Sequence, residues 1–393
     1  MVMSGPHCTR MLVDMGADVV KVEPPGGDLT RFFSPRVGSL ALYHVQQNSG
    51  KRNLSADLRR PEAVDLMLRL AERMDVVVEN FRPGVMDRLG LGYEAMRARN
   101  PRLVYASITG FGQSGAGSGR RAYADIIHAE MGMTEMLGRR QQHPDTPFNH
   151  ADAYSGLECL AAILAALVQR GRTGRGQRID VSMAETLLCV NEWASRELAG
   201  AAEDPASPAG GAATPMLTTA DGRRAVVTGN LASRGVFASW CQVLGRAELA
   251  DDPRFATAEA RVAHRAELLD ILQQWAGRLD SPEALEAALA PVRLAVGVVR
   301  SVAEAGSGPW AHQRGAVVEV DDRSGGRVRL PNSPWRFSEA TTGVRGLPAF
   351  RGEHNREILQ ELLGLDPAEI AGLEAGGVLG SRPPTGREGV KSP

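Results

Sequence analysis

Residues 148–185, FNHADAYSGLECLAAILAALVQRGRTGRGQRIDVSMAE, hold the pattern from which the rest of the chain is read. Leu157, Leu160, Ala161, Leu164, Leu167 and Val168 recur three and four residues apart, the spacing of one apolar helical stripe. Gly171 is the expected end of that helix. Arg172-Thr-Gly-Arg-Gly-Gln breaks the pattern, and Arg178-Ile-Asp-Val-Ser-Met alternates as a strand entering a further helix. Asp152 stands just upstream of the stripe. The dipole and unpaired N–H groups of a helix N-terminus predict that its carboxyl stays ionised at neutral pH. An ionised carboxylate can attack an activated acyl group. Taken alone, Asp152 is better read as a plain N-cap or first-turn acid.

Outward from this stretch, helices alternate with short β-branched strands. A helix over 5–15 stops at Gly16, and a strand follows over 17–23. Residues 28–60 read as irregular. Pro61 opens a helix to about 74. Strands follow at 75–79 and 103–109, with helices near 85–89 and 93–99 between them. This alternation predicts an α/β fold with a parallel sheet, whose ligands collect beyond the strands' carboxyl ends. Asn80, Phe81, Arg82, Gly110, Phe111 and Gly112 follow strands directly and are the candidate rim. Each is also explained by turn geometry or packing alone.

The expected organisation is a large α/β domain over 1–198, an Ala/Gly/Pro linker over 199–215 and a small α+β domain over 216–320. Residues 321–379 then return to the large domain, and 380–393 form a disordered tail. Within the small domain a hairpin turns at Asp221-Gly222, followed by helices near 233–244, 259–278 and 282–289.

A net charge of −1 among 393 residues gives no electrostatic case for nucleic acid or an anionic membrane. The longest apolar run, 160–168, is too short to span a bilayer. The four cysteines (Cys8, Cys159, Cys189, Cys241) show no CxxC spacing and suit a reducing, cytoplasmic setting. The scattered histidines make no metal motif.

Several blocks together resemble the class III coenzyme A transferases, the family of formyl-CoA and carnitine-CoA transferases and α-methylacyl-CoA racemases. They are GADVVKVEPPGGDLTR (16–31), NSGKRNLSADL (48–58), DVVVENFRPGVMDRLGLGYE (75–94), NPRLVYASITGFGQSG (100–115), DAYSG (152–156), RTGRGQRIDVSMAE (172–185) and RGEHNREILQELLG (351–364). The resemblance implies a Rossmann-like large domain, a smaller α+β domain and an interlocked homodimer. It implies an acyl-CoA and a free carboxylic acid as substrates, with the coenzyme A thioester arriving as substrate and no cofactor tightly bound. By position, Asp152 matches the aspartate that takes the acyl group. Asn80, Phe81, Arg88, Arg121 and Tyr123 fall at coenzyme A-contacting positions. Val227-Thr-Gly-Asn230 occupies the place of a Gly-rich loop over the active site, from which Leu231-Ala-Ser departs.

Two alternatives come with the family. Racemases pair the aspartate with a histidine, where this chain has Tyr123; His128, five residues on, is expected to point elsewhere, and His150 reads as a solvated loop residue. Transfer is therefore expected over racemisation. Relatives also begin with a further strand, whereas this chain opens at Met3-Ser-Gly-Pro, so the expected natural start lies upstream. A catalytically silent coenzyme A-binding homologue is the other consequence of that short start.

Overall fold

The computed structural model describes residues 2–141, 148–201 and 214–380. It divides into two compact units, 1–192 with 310–393 and 193–309. The larger unit opens with α1 (Ser4–Asp14), β1 (Val20–Glu23), the two-residue strands β2 (Arg36–Val37) and β3 (Leu40–Ala41), α2 (Leu42–Asn48) and β4 (Arg52–Ser55). It continues through α3 (Pro61–Ala71), β5 (Val76–Glu79), α4 (Val85–Arg88), α5 (Tyr93–Arg99) and β6 (Val104–Thr109). Then come α6 (Ala124–Glu130), α7 (Met133–Gln141), α8 (His150–Thr173), β7 (Arg178–Ser182) and α9 (Met183–Val190).

The smaller unit holds α10 (Ala194–Leu198), β8 (Met216–Thr218), β9 (Arg224–Val227), α11 (Arg234–Leu244), α12 (Ala258–Ala263), α13 (Arg265–Ala276), α14 (Pro282–Leu289), β10 (Val296–Val298) and α15 (Val302–Ser307). The chain returns to the larger unit through α16 (Pro309–Arg314), β11 (Val317–Asp321), β12 (Arg327–Pro331), α17 (Asn355–Leu363) and α18 (Pro367–Ala375). The β11–β12 hairpin thus belongs with the larger unit, where Val320, Val328 and Leu330 pack with Leu40 and Val45. Most of the expected linker and the expected tail lie outside the described residues.

Parallel pairing is present, in two sheets rather than one: β1 with β4, and β5-β6-β7. The stretch expected to be irregular is largely ordered, because Arg52–Ser55 runs beside Val20–Glu23 as a parallel strand. The smaller unit has an antiparallel β8-β9-β10 sheet, with Gly222 at φ +81° in the hairpin turn. Its core is built on Trp240, Phe255, Leu268, Leu272 and Leu285.

Two expectations for α8 are corrected. Gly171 lies inside the helix, and Gly174 ends it by taking φ +73° with its N–H on the Arg170 carbonyl (2.8 Å). The buried face is also turned from the expected stripe: Ala151, Ser155, Gly156, Cys159, Leu160, Ile163 and Ala166 are buried, while Leu157, Leu164 and Val168 are exposed. Small residues win the inner face because α1 crosses there at close range. A Cβ on Gly156 would meet the Ser4 carbonyl oxygen at 2.9 Å. By length and composition α8 could cross a membrane. Its inner face packs on α1, β6, β7 and α9, as a core helix does.

Candidate active site

Asp152 lies in the first turn of α8, where the N-termini of α1 and α8 meet. Its Oδ1 accepts the backbone N–H of Ser4 at 3.3 Å. The Ser4 hydroxyl accepts in turn from Asn80 Nδ2 at 3.1 Å, which ties the end of β5 to the carboxylate. Burial pushes the Asp152 carboxyl above its ordinary value, against the lowering effect of the Ser4 hydrogen bonds. At this junction, loss of water outweighs the helix end.

Three side chains around Asp152 escaped the sequence reading or were misplaced by it. The Tyr43 hydroxyl is buried and has no hydrogen-bond partner among the described residues. Burial first, then the charges of Asp152 and Asp28, push its pKa up to about 12. It therefore remains a neutral donor with nothing to donate to. His128 does not point away: it is 3% exposed, and its Nε2 accepts the backbone N–H of Ala151 at 3.2 Å. His150 is the first residue of α8 rather than a loop residue, and its ring stacks on Tyr154 (5.5 Å, 20°) and lies 6.0 Å from the His128 ring.

Tyr43 sits on a segment pinned by buried charge. Lys21 pairs with Asp28 at 2.8 Å and Arg31 with Glu23 at 2.7 Å. Thr30 bridges Asp28 and His44, and Arg31 also donates to the Ala349 carbonyl. Such pairs specify a conformation more than they add net stability.

The remaining rim candidates are spread along the carboxyl ends of β5 and β6. The Phe81 N–H donates to Glu79 (2.8 Å), whose carboxyl is raised by burial. Glu79, Arg82, Tyr105, Ser107, Gln113 and Arg178 line a small cleft beside it. Gly110 is required by close approach, since a Cβ there would fall 2.2 Å from that of Ala122. Arg88, Arg121 and Tyr123 are exposed, and no hydrogen bond or ion pair among the described residues joins them to Asp152. Asn80 is thus the expected coenzyme A contact that geometry links to the carboxylate. The 227–230 loop belongs to the smaller unit, where Gly229 takes φ +109° and Asn230 accepts from the Ala232 N–H.

A sequence profile of CoA-transferase family III matches residues 1–355. The chain belongs to that family. It is 34% identical to the succinate–glutarate CoA-transferase of Agrobacterium fabrum, over 92% of each chain. It is 33% identical to the succinyl-CoA–D-citramalate CoA-transferase of Chloroflexus aurantiacus, over 95% of this chain and 94% of the relative. A crystal structure of a CaiB/BaiF family protein from Brucella suis shares 34% identity and superposes with a TM-score of 0.77, covering 92% of this chain and 96% of its own. The protein is accordingly a class III CoA-transferase with the α/β architecture of its structural neighbours. In this transferase the junction of α1, α8 and β5 offers a held carboxylate, with an unpartnered phenol on the adjoining segment.

Proposed function

We propose that this transferase moves coenzyme A between an acyl-CoA and a free carboxylic acid through covalent intermediates on Asp152. The carboxylate of Asp152, half-buried and held by a backbone amide at two helix N-termini, is the observation that carries this reading. An oxygen of Asp152 attacks the thioester carbonyl, the C–S bond breaks, and CoA thiolate leaves behind a mixed anhydride. The thiolate then attacks the aspartyl carbonyl, the anhydride C–O bond breaks, and the donor acid departs as a carboxylate. The acceptor carboxylate attacks the aspartyl-CoA thioester and repeats the two steps in reverse. No proton is gained or lost over the cycle, so no acid–base pair is required. Water must be kept from the anhydride, and the burial of Asp152 serves that end.

Racemisation would need a second base facing the α-carbon. His128 is near enough to be considered, but its Nε2 is engaged by Ala151 and its ring is buried. Asn80, Phe81, Arg88, Arg121 and Tyr123 are proposed to contact coenzyme A. The relatives' names favour short dicarboxylic acids as the exchanged acids. The proposed assembly is an interlocked homodimer in the cytoplasm, supported by the apolar residues Leu157, Leu164 and Val168 left exposed on α8. With succinyl-CoA and glutarate, initial rates should show a ping-pong pattern, and Asp152→Ala should abolish turnover while keeping the circular dichroism spectrum. Undiminished turnover in that variant would remove Asp152 from the reaction.

A further inference from the structure

The first turn of α8 lacks a side-chain cap of its own: the residue ahead of it, Asn149, makes no capping hydrogen bond. The Ala153 N–H is satisfied by the Asn149 carbonyl at 2.9 Å. The Ala151 N–H, one residue before Asp152, is satisfied from another helix, by His128 Nε2. On α6, Ala124 and Ile127 pack into the core cluster that also contains Ala151, so the helix that carries the imidazole is anchored to the turn it caps. A ring nitrogen that accepts cannot carry the proton, which places the hydrogen on Nδ1. Burial first, and then the neighbouring His150, hold the ring below its ordinary pKa and keep it in that neutral form.

We propose that His128 is a positioning residue for the nucleophile, fixing through Nε2 the amide next to Asp152 and with it the direction in which the carboxylate is presented. The role rests on Asp152 being the acyl carrier; His128 itself touches no substrate. The bond-by-bond reach of the side chain supplies the test. A glutamine oxygen can stand where Nε2 stands, whereas an asparagine oxygen stands where Nδ1 does and falls short of the Ala151 N–H.

In the full-length transferase, His128→Gln should keep kcat within about threefold of the parent, and His128→Asn should lower kcat by about tenfold or more with KM for acyl-CoA changed less than about twofold. Hydrogen–deuterium exchange of the peptide Phe148–Gly156 should quicken in His128→Asn and not in His128→Gln. An asparagine variant that fails to fold beside an active glutamine variant supports the same role. Equal behaviour of the two variants in kcat and in exchange, whether both are unimpaired or both impaired, overturns it. Exchange is read without any chemistry on Asp152. Turnover surviving Asp152→Asn would therefore remove the acyl carrier, while the exchange pattern still decides whether His128 holds the turn.

Discussion

At the scale of the residue, the charge on Asp152 is held at a cost. Its pKa is raised by burial, so the ionised form that the proposed mechanism requires is lost as pH falls through a value above the ordinary 3.8. The acid limb of kcat/KM should consequently lie above that value, and activity should fall with acidification while the fold persists. The sign for stability is opposite. A carboxyl whose folded pKa is raised favours the folded state when protonated and disfavours it when charged. Asp152→Asn should therefore melt at the same or a higher temperature than the parent at pH 7, with its chemistry gone; a clearly lower melting temperature would mean that the charge stabilises the fold. The placing of Asp152 at a helix start and of Asn80 at a strand end is legible in the sequence, because position relative to a predicted element is a local property. Ser4, Tyr43 and His128 are not, because each comes to the turn that holds Asp152 from another part of the chain. The sequence signal for His128 was available, but a residue count along a helix cannot tell which neighbouring helix its face will meet.

At the scale of the element, α8 shows both what periodicity delivers and where it fails. The helix is legible from its apolar spacing, yet spacing alone puts the larger apolar residues on its inner face. Close crossing by α1 reverses that choice, because only Gly156 leaves room for the Ser4 carbonyl. Two substitutions of glycine by alanine on this one helix should then act in opposite directions. Gly171→Ala adds a methyl group with nothing within 4 Å and should stabilise by about 0.5–1 kcal/mol through helix propensity. Gly156→Ala gains the same propensity but drives a Cβ to 2.9 Å from a carbonyl oxygen. Overpacking of that kind costs about 1–3 kcal/mol, which outweighs the gain. Because the strain falls on Ser4, Gly156→Ala should also lower kcat. Urea unfolding of the two variants checks both signs; equal stabilisation by the two would contradict the close crossing.

At the scale of the whole molecule, the order of α/β alternation was legible, while the grouping of strands was not. The N-terminal stretch lost its strand at 52–55 because Arg52-Asn-Leu-Ser shows no apolar alternation; its place is set by pairing with β1 and by Asn355, whose side chain accepts from the Ser55 N–H. Contacts of this kind, about three hundred residues apart in sequence, bind the two ends of the chain into one unit. Outside that unit's core, Leu157, Leu164, Val168 and Leu188 remain exposed, an apolar surface of the sort a second copy covers. Under the proposed homodimer, Val168→Arg and Leu164→Asp should weaken assembly and lower the mass read by light scattering, with the circular dichroism spectrum retained. An unchanged mass would contradict the assignment of this surface to a second copy.

The covalent role of Asp152 is most directly tested by mass spectrometry of the intact transferase incubated with succinyl-CoA and then hydroxylamine. A hydroxamate on the peptide containing Asp152, absent from Asp152→Asn, is the predicted result. Turnover with that substrate but no adduct at Asp152, in the parent enzyme under the same conditions, would contradict it.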